Sequence, residues 1–215
     1  MKAALRGDAL VVELPAEHRC VSSAVLNGGL GNVRTWLNLQ VPCDYARTDP
    51  ADHLAELAAP LAAPVVGMLT AADVRAHTVA GVGCARAIAT VGIGQPLAAA
   101  GTRPRAVARV GTINLLVVVA APLAPAALVG ALQTAVEAKA QALADARVAA
   151  VNAAGFATGT ATDSICVAAV RGDDVCFAGP ATVVGADVAR AVHSVVLEGA
   201  LARRERSVTA RRCPA

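Results

Sequence analysis

The stretch GFATGTATDSICVAA, residues 155–169, gathers hydroxyls at Thr158, Thr160 and Thr162, then Asp163 and Ser164, and closes on an apolar run. In extended form it places the three threonines on one face, and Gly155 and Gly159 let the backbone approach a ligand closely. Polar side chains at the mouth of a buried strand suit either of two tasks. They satisfy the backbone of a turn, or they line a ligand-facing edge. In the second case Thr160, Thr162 or Ser164 is a nucleophile, and Asp163 is a base or orients a water.

A partner for Asp163 comes from the segment before it. A helix over 125–147 projects Leu128, Val129, Leu132, Val136 and Leu143 onto one apolar arc, with Thr134, Glu137 and Gln141 opposite. Lys139, one of only two lysines in the chain, falls inside that arc. It either snorkels to water from the helix edge or is buried and needs an anion, because an unpaired buried charge is costly. The chain leaves this helix and runs into the Thr/Asp stretch, so Asp163 is the nearest candidate.

Three further groups carry polar side chains beside apolar ones. Trp36 and Asn38 share a strand face, an apolar platform beside an amide. In TAADV, Asp73 follows a tight turn as a ligand contact or a cap. In GTIN, Thr112 and Asn114 head an apolar strand, and a buried Asn needs a definite partner. NGGLGN at 27–32 lacks the lysine and spacing of phosphate-binding loops and reads as a turn. No His or Cys spacing suits zinc, so no metal ligands are expected.

The elements that must position these residues alternate between strands and helices. Strands are expected at 9–14, 20–25, 34–41, 65–69, 85–92, 110–120 and 165–170, with a turn at 172–174. Helices are expected from Pro50, capped by Asp49, to about residue 59, over 125–147, and over 183–203. In the last, Val184, Val188, Val192 and Val195 keep to one face, with His193 on its flank. RAIATVGIGQP and GFATGTATDSI echo each other weakly, each ahead of a long helix, which suggests a weak internal duplication. The fold class is α/β or α+β: a single domain over 1–205 with a mixed β-sheet and packed helices, and a basic tail at 206–215.

Composition bounds the function. Hydrophobic residues make up 56% and charged residues 16%, which excludes a disordered chain. Only Trp36, Tyr45, Phe156 and Phe177 are aromatic, too few for the stacking platforms that bind single-stranded nucleic acid. The net charge of +3 owes much to arginines after residue 202, a basic patch or a solvated helix end. The uncharged run between Arg109 and Glu137 is long enough for a bilayer, but Pro122 and Pro125 interrupt it, so it reads as strand, turn and helix. Six scattered cysteines without close pairing, and no signal peptide, suggest the cytoplasm.

GTINLLVVV, EAKAQAL and ATGTATDSICVAA, in that order, with TWLNLQVP and GMLTAADV upstream, resemble the adenosylcobinamide amidohydrolase family over about residues 20–198. The resemblance implies a hydrolase of cobalamin-precursor salvage. It cleaves the amide between the corrin propionyl side chain and aminopropanol and gives adenosylcobyric acid. It marks Asn38, Asp73, Thr112, Asn114, Glu137, Lys139, Thr158, Gly159, Thr160, Thr162 and Asp163 as motif positions. Ala161, Ser164 and the loops at 43–50 and 101–105 depart from it, where corrinoid preference would shift. The cobalt belongs to the substrate, so no protein-bound cofactor is expected. The expected partner is a corrinoid small molecule, with no nucleic acid and no membrane span, and a homo-oligomer is compatible.

The expected catalytic set is Asp163, Lys139, Thr160, Thr162 and Glu137. The substrate-binding set is Trp36, Asn38, Asp73, Thr112, Asn114, Thr158 and Gly159. Backbone N–H groups around Gly159 and Thr160 are the expected oxyanion donors, on an apolar wall edged with hydroxyls. Two other readings stay open: a self-processing threonine hydrolase, and a non-catalytic corrinoid-binding oligomer.

Overall fold

The computed structural model describes residues 1–103 and 111–212, with the side chains of 204–212 left aside. The expected start of a strand at 110, residues 104–105 of the 101–105 loop and the last three residues of the tail lie outside the described residues.

Eight strands form one mixed sheet: β1 (Lys2–Arg6), β2 (Ala9–Ser22), β3 (Gly29–Gln40), β4 (Val65–Thr70), β5 (Thr78–Val82), β6 (Ala85–Val91), β7 (Ile113–Leu123) and β8 (Ser164–Val175). Three helices accompany them: α1 (Pro50–Ala58), α2 (Pro125–Asp145) and α3 (Val183–Arg212). The order is β4-β3-β2-β8-β7-β6-β5, with β1 also on β2. The pairs β3–β4 and β7–β8 are parallel and the others antiparallel. The single mixed α/β domain expected from the sequence is what forms.

The sheet curls. One core cluster joins Leu10 and Val12 of β2, Trp36 of β3 and Met68 of β4 to Ile88 of β6, Leu116 of β7 and Cys166 of β8. A flat sheet would hold β3 and β7 three strand spacings apart, about 14 Å, so the two halves must fold toward each other. On the outer face of β5–β8, alternate residues such as Ala87, Leu115, Val117 and Val167 pack on α2 and α3. On the outer face of β2–β4, Val11 and Leu37 pack on Leu54 of α1. Strands buried on both faces read as unbroken apolar runs, as LLVVV does.

Several local expectations are corrected. The strands at 9–14 and 20–25 are one strand, β2, whose register shifts between Glu13 and His18, around Pro15. β1 and β5 escaped the sequence reading; both are five-residue edge strands without a strong pattern. β7 continues through Pro122, at a pairing irregularity where a missing N–H is tolerated. The turn at 172–174 is instead part of β8, with Gly172 at φ +138°. Asp49 makes no side-chain cap on α1, because Arg47 holds both its oxygens at 2.9 and 2.6 Å. α3 runs to Arg212, so the tail continues a helix. Of the two echoing stretches, RAIATV is strand and GFATG is loop, although each leads into a strand and a long helix.

The apolar arc drawn on α2 is also displaced. Val129 and Val136 are exposed, and the buried face is Ala127, Leu128, Ala131, Ala135, Ala138, Ala142 and Leu143. Alanines let the helix lie close on the sheet, and a periodicity weighted by side-chain size misses them. Thr134, expected outside, is buried and donates to the Ala178 carbonyl at 3.0 Å. Cys20 and Cys166 are free and buried, and the hydrogen bond between their thiols lowers the Cys20 pKa and, together with burial, raises that of Cys166. Among the described residues no helix is long and apolar enough to cross a membrane.

Candidate active site

The parallel pairing of β7 and β8, with Asn114 opposite Ser164, sets the two strand starts side by side. Thr112 and Asp163, one residue ahead of each strand, therefore meet at the same end of the sheet. α2 leaves the far end of β7 and runs back, so Lys139 returns toward these strand starts. The C-terminal ends of β3 and β4 face the same place: Asn114 Nδ2 donates to the Leu69 carbonyl at 2.9 Å.

Lys139 Nζ forms an ion pair with Asp163 Oδ2, and both side chains are more than nine-tenths buried. The same Oδ2 accepts the Thr160 N–H at 3.0 Å. The other oxygen, Oδ1, accepts the Ile113 N–H at 3.0 Å and lies 2.5 Å from Thr160 Oγ1. A carboxylate offers about four lone-pair sites, and these four donors fill them. Asp163 is thus held in place, and while the Thr160 hydroxyl donates to it no acceptor is left over for a water. Thr160 Oγ1 also lies 2.7 Å from the Gly111 carbonyl; its single proton serves one of the two acceptors at a time.

Gly159 is what lets the loop close on this pair. A Cβ there would stand 2.4 Å from Asp163 Oδ2 and 2.7 Å from Lys139 Nζ. The glycine provides a close backbone approach, but to the ion pair and not to a ligand.

The three threonines do not share a face. Residues 155–163 form a turning loop, not a strand, and each hydroxyl goes its own way. Thr158 accepts the Ala99 N–H at 2.9 Å, Thr160 turns to Asp163, and Thr162 meets the Thr112 hydroxyl at 2.7 Å. The expected oxyanion donors are also engaged: the Gly159 N–H on the Leu97 carbonyl and that of Thr160 on Asp163.

Asp163 stands between two hollows. One, of about 460 Å³, is lined by Met68, Leu69, Thr112, Thr162 and Ser164, and by Arg47 of the 41–50 loop. The other, of about 650 Å³, is lined by Lys139, Glu137, Thr158, Gly159 and Thr160. Asn152 shapes the second by tying the two loops together, accepting the Ala98 N–H at 2.8 Å and donating to the Ala98 and Thr102 carbonyls.

Other expected site residues lie elsewhere. Trp36, Asn38 and Asn114 are fully buried and line neither hollow. Asn38 Nδ2 donates to Thr90 Oγ1 at 3.0 Å, and Asn114 Nδ2 to Asn38 Oδ1 at 2.8 Å. This amide chain ties the two halves of the curled sheet, which is the partner a buried Asn requires. Asp73 caps a short 3₁₀ turn by accepting the Arg75 N–H at 3.0 Å and borders a separate hollow of about 190 Å³. Glu137 is exposed on the wall of the larger hollow, away from the Asp163 hydrogen bonds. His193 flanks α3 and bonds Asp145 at 2.8 Å.

The sequence reading missed Ser23 and residues 97–99 as lining residues, whereas Tyr45, Arg47 and residues 101–103 fall in the two loops where corrinoid preference was expected to shift. The missed residues are distant in sequence from the Thr/Asp stretch, and no local pattern marks them. Among the described residues no group of three or more His, Cys, Asp or Glu is placed to hold a metal ion.

No curated protein compared with the chain matches it. The family model for adenosylcobinamide amidohydrolase matches residues 1–208, nearly the whole chain, from β1 into the last turns of α3. The chain belongs to the adenosylcobinamide amidohydrolase family, hydrolases of a carbon–nitrogen bond.

Proposed function

We propose that the protein hydrolyses the amide between the propionyl side chain of adenosylcobinamide and aminopropanol, giving adenosylcobyric acid for re-use, and that the reaction takes place at Asp163. The observation that carries this reading is the saturated carboxylate: Asp163 holds the Thr160 hydroxyl at 2.5 Å beside the buried Lys139 ammonium, between two hollows. While the Thr160 hydroxyl donates to Asp163 no acceptor site is left for a water, so Thr160 is favoured as the nucleophile.

The steps balance as follows. Thr160 Oγ1 passes its proton to Asp163 Oδ1 and bonds to the amide carbon, and the negative charge moves to the carbonyl oxygen. Lys139 then gives a proton to the nitrogen and the C–N bond breaks, leaving an ester on Thr160 and free aminopropanol. Water attacks the ester and returns a proton to Lys139, while Asp163 returns its own to Thr160 as the acid leaves. The acid product then loses its proton and the released amine gains one, so the net change is amide plus water to carboxylate plus ammonium. Ala161, next to Thr160, hydrogen-bonds to no other described residue, and its N–H is the nearest candidate for the oxyanion.

The corrin ring exceeds either hollow, so it lies across the open rim with only its reacting arm inserted. The deciding experiment incubates purified protein with adenosylcobinamide and follows aminopropanol and adenosylcobyric acid together. Equimolar appearance of both supports the reading. A corrinoid that binds and is recovered intact overturns it.

A further inference from the structure

The two hollows that meet at Asp163 differ in character. The smaller is walled by Val25, Val41, Pro42, Met68 and Leu69, with hydroxyls at its edge. The larger carries Glu137 and Arg103 beside Lys139. Lys139 is already paired with Asp163. Glu137 has no hydrogen bond or ion pair among the described residues, which leaves its carboxylate as the uncommitted anion of that hollow.

The scissile bond joins two unlike pieces. The acyl side is an apolar arm fringed with amides. The other side is a small amino alcohol that becomes an ammonium as it leaves. Resting on the amidohydrolase reading above, we propose that the substrate crosses the Asp163 partition in one direction only: acyl arm in the 460 Å³ hollow, amine in the 650 Å³ hollow, where Glu137 receives it. The reverse placement offers the new ammonium no uncommitted carboxylate: the only acidic side chain among the residues lining the smaller hollow is Asp163, whose oxygens are already engaged, and the cation there, Arg47, is paired with Asp49. Arg103 is the opposing cation of the larger hollow and weakens amine binding there. Glu137 is thus a specificity-determining residue for the leaving group. A carboxylate that welcomes a primary ammonium disfavours a leaving group carrying phosphate.

The test uses 1-amino-2-propanol as a product inhibitor of the full-length protein. Glu137→Gln, an exposed helix substitution, should weaken that inhibition about threefold, the size of one exposed ion pair, and Arg103→Gln should strengthen it. Val25→Trp, which narrows the smaller hollow from an exposed position, should raise KM for adenosylcobinamide and leave amine inhibition as it was. Amide NMR with the amine alone should perturb residues 97–103 and 158–161. Equal inhibition of wild type and Glu137→Gln, or perturbation centred on Ser23 and Met68, overturns the proposal. A wild type that releases no aminopropanol overturns the amidohydrolase reading instead, and the NMR titration still decides where the amine binds.

Discussion

Thr160 Oγ1 lies 2.5 Å from Asp163 Oδ1, and the same residue's N–H reaches Asp163 Oδ2 at 3.0 Å. One residue thus grips both oxygens of a buried carboxylate. With Lys139 and the Ile113 N–H completing the set, the carboxylate cannot rotate, and the hydroxyl is aligned before any substrate arrives. Such pre-alignment is what a covalent mechanism needs.

Thr160→Ala should lower kcat by at least about a thousandfold, while Thr160→Ser keeps a measurable rate and accumulates an ester. Acid quenching followed by peptide mass spectrometry checks this. Mass added at residue 160 is expected; unmodified Thr160 with fast turnover in the Ala variant removes the nucleophile assignment.

The Lys139–Asp163 pair is also structural. Lys139→Met strands a buried carboxylate and should cost about 3 kcal/mol or more in urea unfolding. Joining it to Asp163→Leu should recover part of that loss, since removing both charges leaves none uncompensated. A double variant no more stable than the single one would contradict the account.

Gly159→Ala places a methyl against Asp163 Oδ2 and Lys139 Nζ, so one member of the pair must shift. The expected result is a loss of activity of about tenfold or more, with far-ultraviolet circular dichroism unchanged. Wild-type kinetics in this variant would mean that the geometry of the pair does not matter.

Far from the site, Asp187 of α3 anchors the β5–β6 turn. Its Oδ2 accepts the Cys84 N–H at 3.0 Å and its Oδ1 the Arg190 guanidinium at 2.8 Å. The Cys84 N–H first, and then Arg190, hold its carboxyl below the usual range. A depressed folded-state pKa stabilises above the unfolded value of about 3.9, and that contribution is lost as pH falls through the folded value. Asp187→Asn should therefore lower Tm at neutral pH, with the difference from wild type shrinking below about pH 4. A difference independent of pH would show that packing, not charge, is what the residue provides.

Much of this arrangement was legible in the sequence. Lys139 fell on the buried side of α2 when projected, and Asp163 was the anion that the chain brought back to it. The burial of Lys139 comes from a face displaced from the projected arc, because Val129 and Val136 turn to solvent while alanines face the core. Thr158, Thr160 and Thr162 looked like one row because an alternating pattern implies a strand. The loop's turns, closed by Gly159, send the three hydroxyls in different directions. Trp36 and Asn38 looked like ligand contacts because they offer an apolar platform beside an amide, and Asn114 because a polar residue in an apolar strand requires a partner. The curl of the sheet, which no local window encodes, makes Asn38 and Asn114 partners of each other.

The most direct test of the central claim is turnover of adenosylcobinamide by Asp163→Asn, measured as released aminopropanol, with corrinoid binding followed in parallel by visible absorbance. The account predicts binding close to wild type and no detectable release. Release at a near-normal rate would contradict it.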